Sequence, residues 1–426
     1  MDIRVGVESA IARWLTALAA AASTLTVALA TDQSGDYQSA VGFAVTDNPA
    51  PATNALADGR LHDFFALHPY MGSFSLLLRA PFVTASRWLG ADDVTVYKVG
   101  SVVCLVSLAL LAMWVARLMA RRGQPLIVRL VVVVALVLNP LSLNAIWLGH
   151  PEEMMAAALC IGAALAARDR RVTAAGVLLG LALATKQWAV VAVLPVVFAA
   201  PERRWRLAVI AGGVALALAL PLALGDPARF ATIAQEASQT VRSPATSLWA
   251  PLAASRQEIS FTSGLVSIVT TYSLPPLLGL LPRPLIVVVT AVLALLYRRR
   301  PGPDAEGVLG LLALCFLVRG MLDPISPAYY YVPFVMALAT WEGLRRRGLP
   351  LLTLASAAAL WFLFFVARGE DNFLSRERAL VTVLYLLWAL PVTALIARRV
   401  YRLRSRAADD EPGLRSRLET AGARAG

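Results

Sequence analysis

Charge is what this chain has least of. Only 15% of its 426 residues are Asp, Glu, Lys or Arg, while 58% are hydrophobic and the mean hydropathy is +0.66. Soluble domains sit nearer half apolar and a quarter charged. An ordinary water-soluble globule is therefore excluded, and a polytopic membrane protein is implied. Cysteine is scarce as well: Cys104, Cys160 and Cys315 each lie inside an apolar run, and no CxxC occurs. No disulfide framework is indicated, and the three read as small core residues. His62 and His68 are six apart and there is no HExxH, so no metal centre is expected. The chain also lacks a P-loop or dinucleotide fingerprint in a strand–helix context, and it lacks GxSxG. Nucleotide-binding folds and serine hydrolases find no support.

What charge there is lies at the ends of apolar runs. The formal net charge is +12. Its arginines cluster at Arg121-Arg122, Arg168 to Arg171, Arg203-Arg204, Arg298 to Arg300, Arg345 to Arg347 and Arg398-Arg399. No aromatic residues interleave with them as a nucleic-acid surface would require. They read instead as topology signals and as attraction to anionic headgroups; no nucleic-acid partner is expected.

The first apolar run, Ile11 to Ala30, ends in Ala28-Leu29-Ala30, like a signal peptide with an A-x-A site. The many spans that follow favour an uncleaved first helix. Residues 31–96 form a first outer loop whose second half is apolar but broken by Pro69, Arg79 and Pro81, as in an interfacial or re-entrant helix. Further spans are expected at about Tyr97–Leu118, Leu126–Leu148, Glu152–Ala167, Val172–Thr185, Trp188–Ala200 and Leu207–Leu224. After a second outer loop, 225–276, others follow at Leu277–Tyr297, Glu306–Val318, Ala328–Trp341, Leu349–Val366 and Ala379–Ala397. Several fall short of the roughly 20 residues of a straight crossing. Leu265 to Leu274 reads as re-entrant, because a crossing there would put Arg298 outside. The expected fold is all-α, with about twelve transmembrane helices in residues 1–397 and re-entrant or interfacial helices in the outer loops. Both termini would be cytoplasmic in the plasma membrane, and 398–426 would be a basic, disordered tail. No internal repeat supports an inverted-repeat transporter.

Against this background Leu138 to Gln187 stands out. A polar loop with His150, Glu152 and Glu153 is followed by an apolar helix, the turn Arg168-Asp169-Arg170-Arg171, and a second apolar helix ending in Lys186. With the arginine turn cytoplasmic, both polar ends of the hairpin fall on the opposite face, and ionisable groups at membrane depth point to function. His150-Pro151-Glu152-Glu153 reads as a helix start, with proline in the first turn and carboxylates near the positive dipole end. Adjacent residues do not share a helix face, so at most one glutamate is expected to point into a cleft. His150 is either a capping residue or a ligand contact. Lys186, flanked by Gln187 and Trp188, either snorkels to the interface or contacts a phosphate. Asp36, just beyond the first helix, is either a solvated loop carboxylate or a general base, and Asp32 competes with it.

NPLSLNAIWLGHPEEMMAAALCIGAALAARDRRVTAAGVLLGLALATKQWAVVAVLPVVF, 139–198, resembles the central signature of glycosyltransferase family 87, integral-membrane C-type transferases. GDYQSAVGF resembles the family's first-loop start and puts Asp36 on its catalytic aspartate. HPYMGSFSLLLRAPF is similar to its proline-bearing segment, and LDPISPAYYYVPFVMAL, 322–338, to its late motif. The chain departs from the family in having His150 and Glu152-Glu153 where Gln and Asn are usual. It also has Pro327 for a tryptophan and Tyr329 to Tyr331 in the histidine region. The resemblance implies a C-type fold and transfer of mannose or a pentose from a polyprenyl-phosphate donor, with no cofactor, to a lipid or envelope-glycan acceptor on the outer face. It implies Asp36 as base and Lys186 with Arg319 or Arg242 on the donor phosphate. His150, Glu152, Gln187, Tyr329 and Tyr330 would line the substrate site. The alternatives are a sugar-lipid flippase or carrier, or a non-catalytic glycolipid-binding homologue.

Overall fold

The computed structural model describes residues 2–29, 49–67, 72–228, 246–262, 265–299, 307–325, 327–345, 348–367 and 378–401. Helix α1 spans Asp2–Leu29. Three helices follow before the next long one: α2 Pro49–Ala57, α3 Leu61–Leu67 and α4 Ser73–Trp88. Helix α5, Asp93–Arg121, starts where Asp92 accepts the backbone N–H of Thr95, an aspartate N-cap. Helix α6, Leu126–Val137, breaks at Leu138-Asn139. The Asn139 side chain accepts from Leu141 N and Ser142 N and opens α7, Pro140–Trp147, with proline in its first turn. Gly149, at φ 74°, ends α7 in a conformation that favours glycine. Pro151 then begins α8, Pro151–Arg168.

Helix α9 covers Val172–Leu183. A 3₁₀ turn at Gln187–Ala192 leads into α10, Val193–Ala199, and then α11, Arg204–Gly225. The C-terminal part comprises α12 Pro276–Gly279, α13 Pro282–Arg299, α14 Gly307–Leu322, α15 Val332–Arg345, α16 Leu351–Trp361 and α17 Arg378–Tyr401. Gly176 and Gly180 of α9 lie so close to α11 that an added Cβ would stand 2.8 Å from Ile210 and 2.6 Å from Val214. Small residues at such a crossing let two backbones meet, which is how helices associate where lipid removes the hydrophobic drive.

Burial divides the helices into two classes. In α8, α14 and α15 nearly every residue is buried, including the Ala-rich run Ala156 to Ala167. Helices α11, α13 and α17 instead leave Leu and Val side chains such as Leu216, Val288 and Leu387 exposed. A helix that is apolar all round belongs either in a bundle centre or against lipid, and this chain has both kinds. The central three share one end: the start of α8, the end of α14 and the turn before α15 come together there.

Two expectations need correction, and the helical membrane fold is met in its coarser form. Among the described residues, six helices are long and apolar enough to cross a membrane: Ala10–Leu29, Thr95–Arg121, Leu126–Trp147, Arg204–Gly225, Leu277–Arg299 and Ala379–Tyr401. Val172–Leu183, Gln187–Ala199, Gly307–Leu322 and Leu351–Val366 are apolar but shorter. The stretch Leu265–Leu274 is no re-entrant helix. Ala254–Thr262 (β1) and Leu265–Ser273 (β2) pair antiparallel, in register from Ala254 opposite Ser273 to Thr262 opposite Leu265. The run of β-branched and aromatic residues from Val266 to Tyr272 favours a strand over a helix, so the fold is predominantly helical with one hairpin. The tail also begins later than expected, since α17 continues through Arg398 and Arg399 to Tyr401. Residues 402–426 lie outside the described residues.

Candidate functional site

Glu152 is the hub of the shared end. Proline at the first position of α8 and the turn at Gly149 set the helix start, so the first-turn carboxylates project where other elements arrive. Glu152 is fully buried. Its Oε2 accepts from Arg79 Nη2 of α4 at 2.9 Å. Its Oε1 lies 3.0 Å from Lys186 Nζ and 3.2 Å from His150 Nδ1. Two cations and an imidazole, from three places in the chain, thus meet one carboxylate. Such a charge is tolerated in an apolar interior only when it is this fully paired.

Lys186 also reaches Glu153, Nζ to Oε1 at 3.4 Å. The expectation that at most one of the adjacent glutamates enters the cleft is therefore corrected. In the first turn their side chains diverge, and Lys186 lies between them. The other oxygen of Glu153 stands 3.9 Å from Arg319 Nη1, beyond hydrogen-bond reach. Arg319, at the end of α14, is sandwiched with its guanidinium carbon 4.6 Å from the Trp188 ring and 4.2 Å from the Tyr330 ring. It donates to the Tyr330 carbonyl oxygen at 3.2 Å. Each desolvated cation–π contact is worth up to about 2 kcal/mol, so the side chain is firmly held. Even so, Arg319 Nε, Glu153 Oε2 and Trp188 Nε1 are buried without hydrogen-bond partners among the described residues. Buried orphans of this kind are uncommon in native proteins, and here three surround one spot. Tyr329 stacks on His150 with centroids 4.6 Å apart and planes at 32°, and Tyr330 meets Tyr329 edge-on.

The surrounding backbone fixes these groups. Gly72 N donates to Thr185 O and Phe74 N to Ala184 O, which fastens the start of α4 to the turn that carries Lys186. A Cβ on Gly72 would stand 2.0 Å from the Ala184 oxygen, so only glycine allows this approach. On the other side Tyr331 Oη donates to Gly320 O at 3.0 Å and lies 2.6 Å from Tyr385 Oη, tying α14, the late motif and α17 together. Trp249 Nε1 donates to Leu322 O and joins the end of α14 to the second outer loop.

Of the residues singled out in the sequence, His150, Glu152, Lys186, Arg319, Tyr329 and Tyr330 are therefore brought together. Gln187 opens the 3₁₀ turn and is exposed. Asp36, Asp32 and Arg242 lie outside the described residues. Arg79 and Trp188 were not foreseen as site residues, although an arginine inside an apolar run is itself the signal that finds one. Three described carboxylates between α2 and α5 have structural partners. Asp58 pairs with Arg60 at 3.1 Å and with Arg87, Asp63 pairs with Arg60, and Asp92 caps α5. Asp92 is held below its ordinary carboxylate range by the Thr95 N–H it accepts. Among the described residues no group of three or more His, Cys, Asp or Glu could hold a metal ion.

A helical bundle with long apolar helices and a buried cluster of charged side chains at one end of its central helices is that of a membrane protein with a candidate site for a polar ligand. The family model of glycosyltransferase family 87 matches residues 72–327, more than half of the chain. The chain belongs to that family, and it is a membrane glycosyltransferase by membership. The match begins at Gly72, the residue fastened beside Lys186, and closes at Pro327, next to the tyrosine run. No curated protein matches the chain.

Proposed function

We propose that this protein transfers a sugar, mannose or a pentose, from a polyprenyl-phosphate donor to a lipid or cell-envelope glycan acceptor at the outer face of the plasma membrane. The observation that carries the reading is the set of orphaned atoms around Arg319. A guanidinium clamped between two rings, beside a carboxylate just out of reach, is already desolvated and oriented. An incoming phosphate oxygen would complete it. Lys186 and Arg319 flank the Glu153 carboxylate from its two sides, and with its Nε unpaired Arg319 would be the cation that stabilises the negative charge growing on the departing polyprenyl phosphate. His150, Tyr329 and Tyr330 supply a stacked aromatic wall with polar edges, suited to a sugar ring. Glu152 and Arg79 serve as supports: Glu152 holds Lys186 and His150, and Arg79, which also lines a small cavity beside Ala50, Thr53 and Tyr97, holds Glu152.

Single displacement needs one base, which takes the proton of the acceptor hydroxyl as that oxygen attacks the anomeric carbon and the phosphate departs with its bonding pair. The resemblance of GDYQSAVGF to the family's first-loop start gives this role to Asp36, with Asp32 as the competing carboxylate. The test is sugar transfer from radiolabelled polyprenyl-phosphate mannose and arabinose in membranes containing wild type or Asp36→Asn. Transfer by wild type that falls at least about 100-fold in a correctly inserted Asp36→Asn variant supports both the reaction and the base. Undiminished transfer removes Asp36 and leaves Asp32 as the competing carboxylate. Donor movement across the bilayer without transfer, unaffected by Asp36→Asn, would establish a carrier instead.

A further inference from the structure

The opposite end of the bundle carries a second charged feature that the chamber does not use. Helix α8 turns into α9 at Arg168–Arg171, and α10 turns into α11 at residues 200–203. Between the two turns lies an open cleft of about 460 Å³, lined by Arg170, Arg171, Thr173, Glu202, Arg203 and Arg206 among others. It holds four arginines against one glutamate. Nearby arginines are otherwise engaged: Arg168 pairs with Asp169 at 2.9 Å, and Arg204 donates to Ala200 O and faces the Phe198 ring. Arg206 Nη2 donates to Thr173 Oγ1 at 3.5 Å, which links the two turns across the cleft.

The close approach of α9 and α11 at Gly176 and Gly180 makes these helices parallel neighbours, so their N-termini begin side by side at this cleft. Both are preceded by arginine, Arg171 and Arg203, and neither has a side-chain cap. Arginine at that end opposes the helix dipole, where acidic or neutral acceptors are preferred. The cations and the two positive helix ends therefore reinforce one another. Trp205, at the start of α11, is 80% exposed. On a bilayer-spanning protein an exposed tryptophan at a helix end marks headgroup depth.

We propose that this cleft binds the phosphate of an anionic phospholipid headgroup in the leaflet that the arginine turns occupy. Guanidinium forks match phosphate oxygens in pairs, and the position at the ends of apolar helices beside Trp205 favours a lipid over a soluble phosphate. The cleft rests on the transmembrane reading of the chain but not on the donor or on Asp36.

The full-length protein, purified in neutral detergent without any sugar donor, is titrated with dioctanoyl phosphatidylglycerol, dioctanoyl phosphatidylcholine or inorganic phosphate while thermal unfolding is followed. The absence of donor keeps the outcome separate from that of the transfer assay. The expected result is a saturable rise in unfolding temperature with phosphatidylglycerol only. Its apparent affinity should be about tenfold weaker in Arg171→Gln/Arg206→Gln and unchanged in Arg168→Gln/Arg204→Gln, which removes the same two charges outside the cleft. Arg171→Lys/Arg206→Lys keeps the charge needed for insertion and should weaken binding by a smaller factor, which covers the case in which the glutamine variant fails to fold. An equal response to phosphatidylcholine, an equal response to phosphate alone, or unchanged affinity in both double variants of Arg171 and Arg206 overturns the proposal.

Discussion

Glu152 shows how one buried residue sets the chemistry of its neighbours. Its two oxygens hold Arg79, Lys186 and His150 at 2.9–3.2 Å, so removing one partner leaves an uncompensated charge in an apolar interior. Arg79→Leu should destabilise the protein by about 3–5 kcal/mol, the usual cost of breaking a buried pair. Removing both partners together, Arg79→Leu with Glu152→Leu, should cost clearly less than the sum of the single changes. A double-mutant cycle on thermal unfolding in detergent checks this; additive losses would mean that the pair does not act as one. At this scale much was legible. Lys98 and Lys186 are the chain's only two lysines, and Lys186 at an apolar helix end signalled itself, as did the His-Pro-Glu-Glu helix start. Arg79 was visible only as a break in an apolar run, because its partner is 73 residues away and no spacing rule connects them.

Elements matter through how closely they approach. Gly180 meets α11 with no room for a side chain, whereas nothing lies within 4 Å of a Cβ at Gly212 on α11 itself. Gly180→Val should therefore lower the unfolding temperature markedly, while Gly212→Val, on the same pair of helices, should leave it within about 1 kcal/mol of wild type. Equal effects would show that the crossing is not where α9 and α11 pack. Asn139→Ala removes the cap of α7 and should cost about 1 kcal/mol. Helix starts marked by Asn-Pro and His-Pro were readable in the sequence because capping is local chemistry. The hairpin at Ala254–Ser273 was not, since an apolar run of nine or ten residues fits either a strand or a short helix and only its pairing decides.

Across the whole molecule the arrangement is inside-out in length as well as polarity. The long apolar helices α11, α13 and α17 lie outside with exposed faces, while the buried α8, α14 and α15 are shorter and end in charged groups. Hydropathy reads the apolar runs well, but not their length, because short central helices are shielded by neighbours. Arginine placement predicts that Leu89 and Glu202 face opposite sides of the membrane. The native cysteines are buried, so Leu89→Cys should react with an impermeant maleimide on intact cells and Glu202→Cys only after the membrane is opened. Labelling of both from the same side would contradict the topology.

Arg319, with Lys186 across Glu153, is the cation expected to hold the donor phosphate. The most direct measurement is the rate of sugar transfer from polyprenyl-phosphate donor by wild type and by Arg319→Gln in proteoliposomes, with thermal unfolding confirming that the variant is folded. A folded Arg319→Gln should transfer about 100- to 1000-fold more slowly, the loss expected when one preorganised contact to a developing negative charge is removed. A folded variant that transfers at the wild-type rate would contradict the claim that the chamber at Glu153 and Arg319 receives the donor phosphate.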